Sequence, residues 1–304
     1  MKVSGKEVAD AILEKLEKEI KKKNLKPKLA IILAGSDPSS RIYVNNKIKI
    51  AQRIGIEAKL FEFSKNEKDK CLKIIKRLDK DPQIHGIIVQ YPVHKGWSFD
   101  EFEKEISPKK DVDGFRQDSK FSGATALGVW EMLTAFAYLE GFKKTEDFLK
   151  NKKIILIGKG KAAGGPTFKL LIQKGFEVEV VDKETKNPKE IIKKGDIVIS
   201  ATGVKNIVNK SNLKKGAYVV GVGFGDLNEE EISKIAKLYN PNIGGIGPLT
   251  IVSLLKNVVQ SASVSLSSRR KSGSRDGFRL EFIPLSKRGR NDTRELHGFR
   301  LSPE

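Results

Sequence analysis

Short apolar runs alternate with segments of helical period from the N-terminus to about residue 262, the pattern of βαβ units around mainly parallel sheets. The runs that predict strands are LAIILAG at 29–35, AKLFEF at 58–63, GIIVQ at 86–90, KIILIGKG at 153–160, EVEVVD at 177–182, DIVISATG at 196–203 and AYVVGVG at 217–223. Several show no polar alternation, which is expected of strands covered on both faces. The opening stretch MKVSGKEVADAILEKLEKEIKKKN reads as an amphipathic helix, and ALGVWEMLTAFAYLEGF at 126–142 as a long apolar helix joining two halves of the chain. The fold class is therefore α/β with two domains, divided near residue 142.

The end of the chain departs from this pattern. Arg41, Arg53, Arg77 and Arg116 are the only arginines before Val264, whereas eight more occur from Arg269 to Arg300, and only Lys271 and Lys287 are lysines there. Rich in Ser, Gly and Arg and without sustained period, residues 265–304 read as a disordered basic extension or an out-of-frame product; a tail for an anionic partner is the alternative.

Composition narrows the classes of function. With 304 residues and 38% apolar content the chain can bury two cores. Cys71 is the sole cysteine, so neither an intrachain disulfide nor a cysteine zinc cluster can form. No uninterrupted apolar run reaches the roughly 20 residues of a membrane span, and the N-terminus lacks a signal core, so a soluble cytoplasmic protein is expected. The net charge of +20 raises the question of nucleic acid. The lysines lie beside glutamates, as in LEKLEKEIKKK, and no nucleic-acid motif accompanies them, so a solvated surface is the plainer reading. Such a surface also suits anionic small molecules.

Five segments could carry chemistry. In SDPSSRIYVNNKIKIAQRIGI at 36–56, Asp37 and Pro38 supply helix-start residues, and Tyr43 and Lys47 follow four apart on one helix face. A pair so spaced is ordinarily a surface pair, so its context must decide. GIIVQYPVHKG at 86–96 ends an apolar strand on Gln90, where open α/β sheets place ligand crevices, although such a glutamine can simply tie down a loop. SPKKDVDGF at 107–115 carries Asp111 and Asp113 before Gly114, a pattern that also makes an Asx turn. IILIGKGKAAGGPTFKLL at 154–171 is a strand, a glycine-rich turn and a helix start, with EVEVVD arriving about 20 residues later, as in a dinucleotide site. Asp182 at that second strand end favours NAD, while Lys159 and Lys183 could hold the extra phosphate of NADP. NPNIGGIGPLTIVSLLKNVV at 240–259 leads through Gly247 and Pro248 into an apolar helix.

In this order the segments resemble the bifunctional methylenetetrahydrofolate dehydrogenase/cyclohydrolase family, over about residues 5 to 262. YVNNKIKIAQRIGI is similar to its tyrosine and lysine helix, GIIVQYPV to its glutamine strand, KKDVDGF to its aspartate loop, IGKGKAAGGP to its nucleotide turn and GGIGPLT to its last signature loop. The resemblance implies a folate-binding catalytic domain from residues 1–141 with 249–264, and a Rossmann-like NAD(P)-binding domain from 142–248. It implies Lys47 as central catalytic residue, Gln90 as its contact, Tyr43 stacking on the folate, and Asp113 on the pterin. Gly247 and Pro248 are expected at the substrate. Gly158, Lys159, Gly160, Gly164, Pro166, Asp182, Lys183 and Thr202 are expected at the cofactor. NADP is the cofactor implied, with NAD possible; tetrahydrofolate derivatives are the substrates, no metal is needed and a homodimer is expected.

The sequence departs from the family at GATA (Gly123 to Ala126) in place of a PCTP-like stretch, and at Gly160, Ala163, Asp182, Gly221 and NPNI (240–243). These changes cluster in the dinucleotide half. They leave open a cyclohydrolase with weakened dehydrogenase activity, or a non-catalytic folate- or nucleotide-binding protein.

Overall fold

The computed structural model describes residues 1–269 and two two-residue strands beyond them; the rest of the expected basic tail lies outside the described residues. The first half runs α1 (Gly5–Lys22), β1 (Lys28–Leu33), α2 (Pro38–Arg53), β2 (Glu57–Glu62), α3 (Lys68–Lys80), β3 (Gly86–Val89) and α4 (Phe99–Lys104). Its three strands form a parallel sheet in the order β2-β1-β3, with Ile32 opposite both Phe61 and Val89. α5 (Ala124–Leu139) and α6 (Thr145–Leu149) lead into the second half. There β4 (Ile154–Ile157), α7 (Gly164–Gln173), β5 (Val178–Val181), α8 (Pro188–Ile192), β6 (Ile197–Ser200), β7 (Tyr218–Gly221), α9 (Glu229–Ile232) and β8 (Leu238–Tyr239) follow. The five strands pair in parallel, in the order β5-β4-β6-β7-β8. α10 (Ile246–Arg269) returns to the first half, and β9 (Phe282–Ile283) pairs antiparallel with β10 (Arg300–Leu301).

All seven predicted strands form. β3, β4, β6 and β7 are buried at every position, which explains their continuous apolar runs. β8 had no such signal, because two residues give no period. It gains an extra neighbour from the N-terminus, where Lys2 bridges to Tyr239 and the Val3 amide donates to the Tyr239 carbonyl at 2.8 Å.

Ser4 caps α1, accepting from the Glu7 amide at 3.3 Å, and Val8, Ile12, Leu16 and Ile20 form its buried stripe. α1, α5 and α10 pack together, and each buried Leu or Ile in that core contributes about 1.5–3 kcal/mol relative to exposure. Contrary to the expectation of no span, Ile246–Ser267 is long and apolar enough to cross a bilayer; most of it is buried against α1 and α5 as a core helix. The helix also continues to Arg269, past the point where period was expected to end. Leu266 still packs on the core there, and the Ser265 hydroxyl donates to the Ser261 carbonyl at 3.1 Å.

Candidate functional site

Asp37 starts α2 by accepting from the amides of Ser39 at 3.2 Å and Ser40 at 3.1 Å, and Pro38 occupies the first turn, where its missing N–H costs nothing. One helical turn then separates Tyr43 from Lys47, whose amine lies 4.8 Å from the tyrosine ring centroid. Lys47 is only 4% exposed, and its Nζ donates to Gln90 Oε1 at 3.0 Å. Gln90 stands immediately beyond β3, and its Nε2 donates to the Tyr91 carbonyl at 2.8 Å. That second bond fixes the amide so that its oxygen faces the lysine. The Tyr43 hydroxyl donates to the Gly247 carbonyl at 3.2 Å, and Pro248 follows in the first turn of α10. A surface lysine–tyrosine pair is thereby excluded: the helix face carrying both is turned into the protein.

The two aspartates of the KKDVDGF loop have different surroundings. Asp111 makes the turn, accepting from the Gly114 amide at 3.1 Å and the Arg116 amide at 2.9 Å. Asp113 interacts electrostatically with both Lys47 and Tyr43, and among the described residues its carboxylate accepts no hydrogen bond. Burial pushes the Lys47 amine below the ordinary lysine range, opposed by the Asp113 charge. Burial pushes the Asp113 carboxyl upward, with Lys47 opposing and Asp111 reinforcing. The Tyr43 phenol is also raised, by burial first and by Asp113 second. A buried amine of depressed pKa and a carboxyl of raised pKa that feel each other's charge form a pair suited to proton transfer.

In the second half the turn after β4 is shaped for close approach. Gly158 has φ +82°, and a Cβ on it would lie 2.8 Å from Thr202 Cγ2; a Cβ on Gly164 would overlap the Gly158 carbonyl oxygen. Gly160 accepts at its carbonyl from the Gly165 amide at 2.9 Å, and Pro166 sits in the first turn of α7. This cradle at a helix N-terminus fits a pyrophosphate. Lys159 folds back over the Phe168 ring, 3.8 Å from its centroid. Thr202 Oγ1 donates to Asp226 Oδ1 at 3.1 Å and accepts from the Val204 amide at 3.1 Å, so its hydroxyl proton is already engaged. Asp182 and Lys183 are both exposed beyond β5, and hydrogen bonds from the Thr185 hydroxyl and the Glu184 amide hold the Asp182 carboxyl below its usual range.

Two family profiles match the chain in succession. Residues 3–113 match the family profile described as tetrahydrofolate dehydrogenase/cyclohydrolase, catalytic domain, and residues 124–266 match that of the family's NAD(P)-binding domain. The chain belongs to the tetrahydrofolate dehydrogenase/cyclohydrolase family. It is 36% identical over 280 residues to the bifunctional protein FolD of Bacillus subtilis, covering 87% of this chain and 98% of that protein. With the FolD of Caldanaerobacter subterraneus it shares 32% over 279 residues, covering 88% and 99%. Among solved structures it resembles the bifunctional FolD dehydrogenase/cyclohydrolase of Campylobacter jejuni, with a TM-score of 0.79, 31% identity, and coverage of 86% of this chain and 98% of that one. The Trypanosoma brucei FolD, solved with NADP cofactor and an inhibitor, gives 0.79 at 26% identity, covering 88% and 98%.

Within this family the departures of the chain find local partners. A Cβ on Gly221 would lie 2.6 Å from Leu227 Cγ, so Leu227 fills the space beside the strand. Asn240, fully buried, donates to the Gly221 carbonyl at 2.9 Å and accepts from its amide at 2.9 Å, extending the sheet with a side chain. A Cβ on Gly123 would lie 2.9 Å from Pro166 Cβ, so the two domains touch where GATA replaces the family's stretch. Sequence reasoning missed Asn240, and also Lys110, Asn257 and Asp226. Lys110 donates to the carbonyls of Leu78, Asp79 and Asp81 at 3.1, 2.7 and 2.6 Å, anchoring the aspartate loop on the end of α3. Asn257 of α10 donates to the Val112 carbonyl at 2.8 Å, between the two aspartates. Asn257, in SLLKNVV, stands out as polar in a largely apolar stretch, whereas Lys110, Asp226 and Asn240 lie among polar or turn-forming neighbours that gave no signal.

A cavity of about 870 Å³ lies between α4, residues 114–123 and α7. Lys47, Gln90 and Tyr43 do not line it.

Proposed function

We propose that this chain oxidises 5,10-methylenetetrahydrofolate with a nicotinamide dinucleotide and hydrolyses the 5,10-methenyl product to 10-formyltetrahydrofolate, with Lys47 as the proton shuttle. The buried Lys47–Gln90 pair at 3.0 Å carries the reading. Residues 1–141 with 249–264 form the folate unit in this reading and 142–248 the dinucleotide unit, acting as a cytoplasmic homodimer.

Hydrolysis requires water to add to the methenyl carbon. The neutral Lys47 amine takes a proton from the attacking oxygen, and the resulting ammonium returns it to the ring nitrogen as the carbon–nitrogen bond breaks; the remaining hydroxyl proton leaves to solvent as the formyl carbonyl forms, which accounts for the charge of the methenyl cation. A lysine does this only when its pKa is depressed, which burial supplies. Gln90 holds the amine in place, Tyr43 offers its ring to the folate, and Asp113 hydrogen-bonds the pterin. Oxidation needs chiefly alignment, because the substrate's own nitrogen lone pair stabilises the cation left when a hydride departs. The dinucleotide, when bound, accepts that hydride. Gly158 and Gly164 leave room for its pyrophosphate, and Pro166 begins the helix beneath it.

An anaerobic assay with methylenetetrahydrofolate, comparing NADP with NAD and separating methenyl from 10-formyl products, tests the whole reading. Reduced dinucleotide together with the 10-formyl product is expected. Hydrolysis of supplied methenyltetrahydrofolate without any dinucleotide reduction would leave a cyclohydrolase alone; absence of both overturns the catalytic assignment.

A further inference from the structure

One lysine of the glycine-rich turn after β4 reaches across to the folate half. Lys161, between Gly160 and Gly164, places its ammonium 3.1 Å from Glu103 Oε2 and against the Asp100 carboxylate, both on α4. The same ammonium lies 5.0 Å from the centroid of the Phe99 ring, at the start of that helix. Asp100 is exposed, but the Glu103 side chain keeps only 15% of its surface and Phe99 is buried. An ion pair of which one partner is largely shielded, backed by a cation–π contact, holds better than an exposed pair, which is screened by solvent.

Phe99 carries this contact to both loops of the folate side. Its ring meets Tyr91 edge-on, with centroids 5.4 Å apart, and Phe115 at 5.0 Å. Tyr91 follows Gln90 and accepts at its carbonyl from Gln90 Nε2, while Phe115 follows Gly114 in the loop of Asp113. A side chain of the pyrophosphate turn is thus one ring away from the neighbours of the glutamine that holds Lys47 and of the aspartate assigned to the pterin. Asp100, Glu103 and Lys161 belong to the wall of the cavity of about 870 Å³, so the ion pair bridges the two halves beside a gap and not within a packed interface. Elsewhere on that wall Gly123 abuts Pro166, and Lys169 Nζ donates to the Gln117 carbonyl at 3.0 Å. Hydride transfer needs the reacting atoms of two ligands within about 3–3.5 Å, so the spacing of the halves governs oxidation. Hydrolysis uses Lys47 and water on the folate side alone, and is indifferent to that spacing.

We propose that Lys161 is a positioning residue for hydride transfer, a clasp from the dinucleotide turn onto α4 that sets the distance between the two ligands. The inference rests on the two-reaction reading above. Wild type, Lys161→Met, Lys161→Arg and the double variant Asp100→Asn, Glu103→Gln test it through three measurements. These are the single-turnover rate of dinucleotide reduction by methylenetetrahydrofolate, methenyl hydrolysis without dinucleotide, and calorimetric titration with ADP-ribose. Misplacement by about 1 Å can cost on the order of a hundredfold, and a partly screened clasp commands less, so Lys161→Met should lower the saturated reduction rate about tenfold. The folate concentration for half-maximal rate, the hydrolysis rate and the ADP-ribose affinity should stay within about twofold of wild type. The double variant should show the same loss although its changes lie on the folate side, and Lys161→Arg should keep most of the rate. Unchanged reduction in either Lys161→Met or the double variant overturns the inference. So does weakened ADP-ribose binding, which would make the lysine a phosphate contact, or an equal fall in hydrolysis, which would make it a general prop of the fold. A wild-type protein that reduces no dinucleotide overturns the dinucleotide reading itself.

Discussion

Replacing Lys47 by Met keeps the length and packing of the side chain while removing its proton. General acid–base groups contribute about a hundred- to ten-thousand-fold, so methenyl hydrolysis should fall by that factor, or ~2.7–5.5 kcal/mol in barrier. Oxidation, which needs alignment more than proton transfer, should fall much less. The same substitution has a calculable effect on stability. It leaves Gln90 Oε1 without the partner now at 3.0 Å, a cost of about 1–3 kcal/mol, but it also removes the burden of a buried ammonium. Because the folded-state pKa of Lys47 is depressed, the unfolded chain binds the proton more readily; the lysine's penalty is fully present below its folded pKa and disappears as pH rises toward the unfolded value near ~10.4. The variant should therefore compare most favourably with wild type at low pH. Initial rates of both reactions, corrected for uncatalysed hydrolysis, and melting curves across pH check these outcomes. Equal loss of the two activities would refute the shuttle and leave Lys47 a positioning group; a stability gain that grows with pH would refute the buried-amine argument.

Asp113→Asn should raise KM for the folate substrate in both reactions by about tenfold to a hundredfold, the worth of a charge-assisted hydrogen bond, as read by steady-state kinetics. Lys110→Met withdraws three hydrogen bonds from the end of α3 and should destabilise by about 3 kcal/mol, lowering Tm by about 6–12 °C in a thermal melt. Asp182→Ser removes an ionised carboxylate from the adenosine side and should shift the ratio of kcat/KM for NADP over NAD several-fold toward NADP; no change would place the adenosine away from β5. Gly164→Ala drives a methyl group into the Gly158 carbonyl and should abolish dinucleotide binding in equilibrium dialysis.

Much of this arrangement was legible before any coordinates. Strands buried on both faces wrote themselves as unbroken apolar runs, and helical spacing alone put Tyr43 and Lys47 on one face. Spacing could not say which way that face turned. Gln90 decides it by meeting the lysine from another element 43 residues away. Residue type and local spacing do not part Asp111 from Asp113, since each stands beside Val112; only the family resemblance singled out Asp113. Their contacts part them physically, because the backbone amides of Gly114 and Arg116 turn toward the first.

The changes in the dinucleotide half make the same point more sharply. Taken singly along the chain, Gly221 and NPNI at 240–243 are two losses from a family pattern, and losses that cluster argue for decay. In three dimensions they are partners. Asn240 reads both backbone groups of Gly221, across 19 residues of sequence, while Leu227 occupies the space that a larger residue at 221 would need. Decay predicts cavities and orphaned polar groups at such positions. Here the strand end is packed and its hydrogen bonds are supplied by a side chain. A sheet edge rebuilt in this way still presents its loops beside the pyrophosphate cradle, which favours a retained dinucleotide site over a vestigial one.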